Sequence, residues 1–325
     1  MISRFLITAI AAILLIRCIV DSDLPFPSGE SQIVVNGMLN PDSLIRINLS
    51  RTKVLGVSET FTNIENGLIK LFENGMLIDT LTYEGDGNYF SLYKSKAEHH
   101  YKIIISGESI EKEIEAEDLV PPIPNYNVCF SQTDDNRSIK EYDVTVHLEL
   151  NDLNKEKFIP WVEFISQDYK YNFNGLDTSR LITQKFFLIN TNASTLDTYN
   201  SVFDNYTGYF DFYFYMRVSD SFANSQKLKM DIIGGRTNQT SRLFQYEVLS
   251  NPIKDQSLLV NVINCSVSYD RYLKSTMTNF LNTEFINGST LFSGPVKIYS
   301  NIKNGVGIFA AYSPQAKRVN EYQCN

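Results

Sequence analysis

Apolar and polar residues alternate along most of the chain. In LIRINL (Leu44 to Leu49), Ile45, Ile47 and Leu49 share one face while Arg46 and Asn48 share the other, which predicts a half-buried strand. The same period runs through YDVTVHLEL, where Val144, Val146, Leu148 and Leu150 oppose Asp143, Thr145, His147 and Glu149. LKMDI (Leu228 to Ile232) repeats it with Lys229 and Asp231 outward, and YFDFYFYM (Tyr209 to Met216) shows it most sharply. There Phe210, Phe212, Phe214 and Met216 form one face; Tyr209, Asp211, Tyr213 and Tyr215 form the other. HYKIIIS, WVEFIS and KFFLIN read as further strands. In GLIKLFENGMLIDTL two apolar runs meet at Asn74-Gly75, a dipeptide that supplies the positive φ angles of a tight hairpin turn. Glu84-Gly85-Asp86-Gly87 and Asn304-Gly305 mark two more turns. One segment breaks the period. In SYDRYLKSTMTNFL the residues Tyr269, Tyr272, Leu273, Thr276, Met277, Phe280 and Leu281 recur at helical spacing, with Ser268 as the expected N-cap and the stripe facing a sheet.

These elements predict a mainly β protein in two parts. PPIP (Pro121 to Pro124) stops the charged run EKEIEAED and reads as a boundary. Residues 32–120 carry the short strands and turns of a β-sandwich, and 125–325 form a larger β-rich domain with one amphipathic helix. Composition agrees: 19 Tyr and 21 Phe suit pleated, half-buried surfaces. The net charge of -8 argues against a phosphate-backbone partner, so no nucleic acid is expected.

The beginning of the chain predicts export. Arg4 is a short basic region and Phe5 to Ile16 an apolar run too short to span a bilayer comfortably, so residues 1–17 read as a signal peptide. Cys18 follows directly and is the residue a lipoprotein pathway acylates, although Leu15, Ile16 and Arg17 stand where a small residue is usual. Plain secretion and a retained anchor are the alternatives. Residues 18–31, with Pro25, Pro27 and Gly29, read as lipid attachment and tether. Asp21 and Asp23 resemble the short acidic signals that carry lipoproteins to the cell surface. With Cys18 lipidated, Cys129, Cys265 and Cys324 remain, which allows at most one intramolecular disulfide or none.

Catalytic and metal motifs are sparse. The three histidines are His99, His100 and His147. His147 falls on the polar face of its strand, and neighbours such as His99 and His100 point oppositely on a strand, so no metal site or cofactor is expected. The acidic turns Asp134-Asp135-Asn136 and Asp86-Gly87-Asn88 lack the spacing of a calcium loop. Metalloprotease, nucleophile-elbow and phosphate-loop motifs are absent from the sequence. The row Tyr209, Tyr213 and Tyr215 is the best binding candidate, because exposed rings stack on sugars or peptides at low entropic cost. A second buried layer is the alternative reading of that face.

IVVNGML (Ile33 to Leu39), the IKLFENGMLIDTL hairpin with GNYFS after it, SVSYDRYLKS and above all GPVKIYSNIKNGVGIFAAYS (Gly294 to Ser313) occur in an order that resembles one family: outer-membrane lipoproteins of Bacteroidota classed as domain of unknown function 4249. The resemblance implies an immunoglobulin-like or transthyretin-like first domain, a larger β-rich second domain and outer-membrane attachment, with the cell surface as the expected side. Relatives are typically encoded beside TonB-dependent receptors, which implies a non-catalytic accessory or binding subunit in nutrient uptake. A stand-alone surface binder of oligosaccharide or peptide is the alternative, and an exported hydrolase has no motif in its favour.

Overall fold

The computed structural model describes residues 31–53, 62–133, 143–170, 180–185, 187–190, 195–204, 212–235, 256–284 and 297–319. Eight strands build the first part: β1 (Ile33–Leu39), β2 (Leu44–Arg51), β3 (Leu68–Glu73), β4 (Met76–Thr80), β5 (Thr82–Gly85), β6 (Asn88–Lys94), β7 (His100–Ser106) and β8 (Ile114–Leu119). They form two layers, ordered β1-β2-β6-β5 and β4-β3-β7-β8. This is the strand order of an immunoglobulin-like sandwich. Alternation decides what lies between the layers: Val35, Ile45, Ile47 and Leu49 from one sheet meet Ile69, Leu71, Ile103, Ile105 and Ile114 from the other, all essentially fully buried. The Asn74-Gly75 turn forms as expected, with φ of 49° and 84°. Tyr101, near the start of β7, closes the preceding corner. Its hydroxyl accepts the Lys96 backbone N–H at 3.0 Å and donates to the Glu73 carboxylate at 2.5 Å, the arrangement known in such sandwiches as a tyrosine corner.

The second part adds β9 (Tyr126–Thr133), β10 (Asp143–Asn151), β11 (Phe158–Lys170), β12 (Arg180–Lys185), β13 (Phe187–Asn190), β14 (Leu196–Asp204), β15 (Phe212–Val218), β16 (Lys227–Gly235), β17 (Gln256–Ser266), the helix α1 (Val267–Glu284) and β18 (Val306–Arg318). A four-stranded sheet, β13-β16-β10-β9, lies against the large sheet that runs β14-β15-β11-β17-β18. Tyr126, Val128, Val146, Leu148, Leu150, Leu228 and Met230 from the first meet Phe158, Val162, Met216, Val218, Val260 and Val262 from the second. The opposite face of the large sheet, with Ile159, Trp161, Ile263 and Cys265, is covered by α1 through Tyr269 and Leu273.

The two parts share one sheet. β18 pairs antiparallel with β17 and, further back along its length, parallel with β1, from Val34↔Val306 to Leu39↔Ala311. Ile302, Phe309 and Ala311 therefore enter the core of the first sandwich. Gly307 makes this pairing possible. Its φ is +108°, and a Cβ there would stand 2.2 Å from the Val35 carbonyl oxygen. Ahead of β18, Asn301 donates to the Phe309 carbonyl and accepts the Phe309 N–H, and Asn304 donates to the Glu113 carbonyl beside β8. Polar residues of the IYSNIKNGVGIF stretch thus hold the last strand in the first sandwich.

Two local details differ from or extend the sequence reading. The hydroxyl that caps α1 belongs to Ser266, which accepts the Tyr269 N–H at 3.1 Å. Ser268 lies inside the first turn and donates instead to Asp118. Cys129 is disulfide-bonded, whereas Cys265 is a buried free thiol whose pKa is pushed up by burial.

Candidate functional site

Cys18, Asp21, Asp23 and Tyr209 lie outside the described residues, as do Asp134 and Asp135. Tyr213 and Tyr215 stand in β15, paired with Phe203 and Val202 of β14. The Asp86-Gly87-Asn88 segment is a tight turn, with φ of 50° at Asp86 and 75° at Gly87, braced by Asn48, whose amide donates to the Asp86 carbonyl and to the Asn88 side chain. His99 and His100 turn to different carboxylates: His99 Nδ1 is 3.1 Å from Glu73 and His100 Nε2 is 3.8 Å from Glu117. Among the described residues no three ligand-type side chains converge as a metal site would require.

Among the described residues, the two most exposed large apolar side chains, Leu92 and Met76, lie on the first sandwich. Met76 and Leu77 of β4 are 70% and 54% exposed, and Leu92 and Tyr93 of β6 are 77% and 49% exposed. The two strands approach where the Ser91 hydroxyl donates to Asp79, and beyond the end of β6 Lys96 reaches Glu73 at 3.2 Å. Neither strand hides these side chains. β4 ends one sheet, β5 ends the other, and β6 departs from regular pairing with β2 between Arg46 and Leu44. Lys94 and Lys96 follow Tyr93 in the chain, and Lys94 donates to the Asp42 carbonyl.

Beneath α1 sits a buried ion network. Arg217 of β15 is 1% exposed. Its Nε and Nη2 meet the two oxygens of Asp270, at 2.6 and 2.9 Å; Nη2 also meets Asp220 at 2.6 Å and Nη1 meets Asp197 at 3.1 Å. Trp161 Nε1 donates to the same Asp270 at 3.0 Å. Burial alone would pull the guanidinium pKa down, but the Asp270 and Asp220 carboxylates outweigh it and hold it above its ordinary value. With these donors satisfied, the network fastens the helix's first turn to the sheet.

The polar face of the four-stranded sheet gathers a third group. His147 stands opposite Asp231 on β16 and Cys129 on β9, and Ser131 is one diagonal step along β9. The Ser131 Oγ lies 2.8 Å from His147 Nε2, and His147 Nδ1 lies 2.7 Å from Asp231 Oδ1.

The family described as Domain of unknown function (DUF4249) matches residues 20–318. The chain belongs to that family. Among curated proteins none matches the sequence. Among solved structures, one described as a "membrane anchored protein" from Corynebacterium diphtheriae is similar at 14% identity, with a TM-score of 0.20. That match covers 74% of this chain and 55% of the other, so the chain spans little more than half of that structure.

In this DUF4249 chain the junction between the two parts is itself polar. The Asp118 carboxylate, at the end of β8, accepts the Ser266 hydroxyl at 2.5 Å and the Ala311 N–H at 2.8 Å. Burial raises its pKa to about 6, against the pull of these donors, of the Leu119 N–H and of the Ser268 hydroxyl. Asn264 and Ser313 donate to the carbonyls of Pro122 and Pro121, so the proline boundary is pinned to β17 and β18. Sequence reasoning located His147 and Asp231 on polar faces but not their meeting with Ser131, and it passed over Arg217, Asp270 and the exposed apolar residues of β4 and β6. The one available hint was a lone arginine directly after the aromatic alternation.

Proposed function

We propose that this DUF4249 protein is an outer-membrane lipoprotein, anchored through Cys18 and facing the cell surface, that serves a TonB-dependent transporter as an accessory docking or binding subunit. The observation that carries the reading is the exposure of Met76 and Leu77 on β4 and of Leu92 and Tyr93 on β6. Large apolar side chains left in the open on two adjacent strands favour a protein contact, and methionine and tyrosine are common in such contacts. The tether favours a partner in the same membrane. Residues 18 to 31 are 13 steps apart in the sequence, which reach at most about 45 Å when fully extended. The gene neighbourhood implied by the family resemblance supplies the class of partner.

Co-purification of the native protein from gently solubilised membranes tests the reading. A TonB-dependent receptor recovered in near-equal amount is the expected result. Recovery of the lipoprotein alone under several growth conditions overturns it.

A further inference from the structure

Ser131, His147 and Asp231 come from strands β9, β10 and β16, and the register of these three strands brings them together. With a neutral imidazole the hydrogen bonds have one direction that satisfies all three groups. Asp231 accepts the Nδ1–H of His147, which leaves the Nε2 lone pair free to accept the Ser131 hydroxyl. None of the three is held there by the core. His147 and Asp231 are 35% and 56% exposed, and the buried side chains of β10 and β16 point the other way. A base within hydrogen-bond reach of a hydroxyl, and itself oriented by a carboxylate, is the arrangement that turns serine into a nucleophile.

We propose that this face carries an acyl-transfer site, with Ser131 as nucleophile, His147 as general base and acid, and Asp231 as the positioning residue, acting on short-chain carboxylic esters. Ser131 Oγ attacks the ester carbonyl carbon while its proton passes to His147 Nε2. The bond from that carbon to the alcohol oxygen breaks as His147 returns the proton to the departing oxygen, leaving an acyl-serine. Water then adds its oxygen to the acyl carbon and its proton to His147, and the bond to Ser131 Oγ breaks as that proton returns to the serine, releasing a carboxylic acid. The position of β9 supplies the remaining requirement. It is the end strand of its sheet and, among the described residues, pairs with β10 alone, so the alternate N–H groups of β9 that do not pair with β10 point away from it. Those N–H groups lie on the nucleophile's own strand, where a developing oxyanion needs donors. This activity departs from the expectation that the chain makes and breaks no bond, and it does not depend on the docking role.

Cross-strand polar contact is the rival account. It predicts small effects on stability and no covalent chemistry. The test uses the full mature chain with a fluorophosphonate probe and with p-nitrophenyl acetate, read by intact mass and peptide mapping. The probe is expected on Ser131, absent from Ser131→Ala, and slowed about 10²–10⁴-fold in His147→Gln. Asp231→Asn is expected to slow labelling while leaving the melting temperature unchanged, which a merely structural role would not do. All three residues are on the outer face, so the variants should fold; a melting curve on each verifies this, and Thr145→Ala beside them is the folded control. Labelling of the unaltered chain no faster than that of Ser131→Ala overturns the proposal.

Discussion

Replacing Asp270 by alanine tests whether the ion network fastens α1 to the sheet. Asp270 gives both oxygens to Arg217 and shares one with Trp161. Without it, the Arg217 side chain, 2% exposed, still meets Asp197, Asp220 and the Val218 carbonyl, but the two carboxylates are wetter groups, at 21% and 59% exposure. Breaking one side of a buried ion pair costs about 3–5 kcal/mol, and stranding the Trp161 N–H adds about 1–3 kcal/mol. Asp197 and Asp220 recover part of this, so the expected loss is about 4 kcal/mol, a large fraction of the roughly 5–15 kcal/mol that stabilises a typical domain. Trp161 is the single tryptophan of the chain, so urea unfolding followed by its emission reads this site. With a denaturant slope of roughly 2 kcal/mol/M, the midpoint should fall by about 2 M. The double change Arg217→Met with Asp270→Leu should restore most of the loss, because no charge is then left buried without a partner. A loss below about 1 kcal/mol in Asp270→Ala, or a double variant no better than the single, refutes the reasoning.

Three further outcomes follow from the same structure. Tyr101→Phe strands the Lys96 N–H and should cost about 1–3 kcal/mol in urea unfolding with an unchanged slope; an unaltered midpoint contradicts the corner's role. Gly307→Ala forces a left-handed φ on alanine and drives Cβ into the Val35 carbonyl, so it should cost about 3 kcal/mol or more and speed hydrogen exchange along β1; native exchange there contradicts the close approach. Asp118 holds its proton to about pH 6 in the folded chain, against about 3.9 when unfolded. The native state therefore binds more protons than the unfolded state between about pH 4 and 6, so stability falls as pH rises through that window. Asp118→Asn should flatten that fall in a series of melting curves, and an unchanged pH dependence contradicts the assignment.

Most local structure was legible because it rests on neighbours in sequence. Period-two alternation revealed the buried faces of β2, β10 and β16, and Asn74-Gly75 fixed a hairpin because few other residues accept its φ angles. The helix start was legible to within two residues, because Ser266 and Ser268 are both suitable caps and only the fold decides which hydroxyl accepts the Tyr269 N–H. What was not legible is non-local. The parallel pairing of β1 with β18 joins residues 272 apart in the sequence, 306 against 34, and the register that seats Ser131 beside His147 depends on how β9 slides against β10. MLIDT of β4 has three apolar residues in a row, so period alone could not say which would be left in the open. The charge on Arg217 gave no sign of burial, since three carboxylates from separate elements supply its partners.

The docking account rests on the exposure of Met76, Leu77, Leu92 and Tyr93, and site-specific photo-crosslinking in intact cells tests it most directly. A photoreactive residue at Leu92 should capture an integral outer-membrane receptor, while the same residue at Ile298, an exposed apolar position outside β4 and β6, should not. Equal capture from both positions, or no protein adduct at Leu92, would contradict the account.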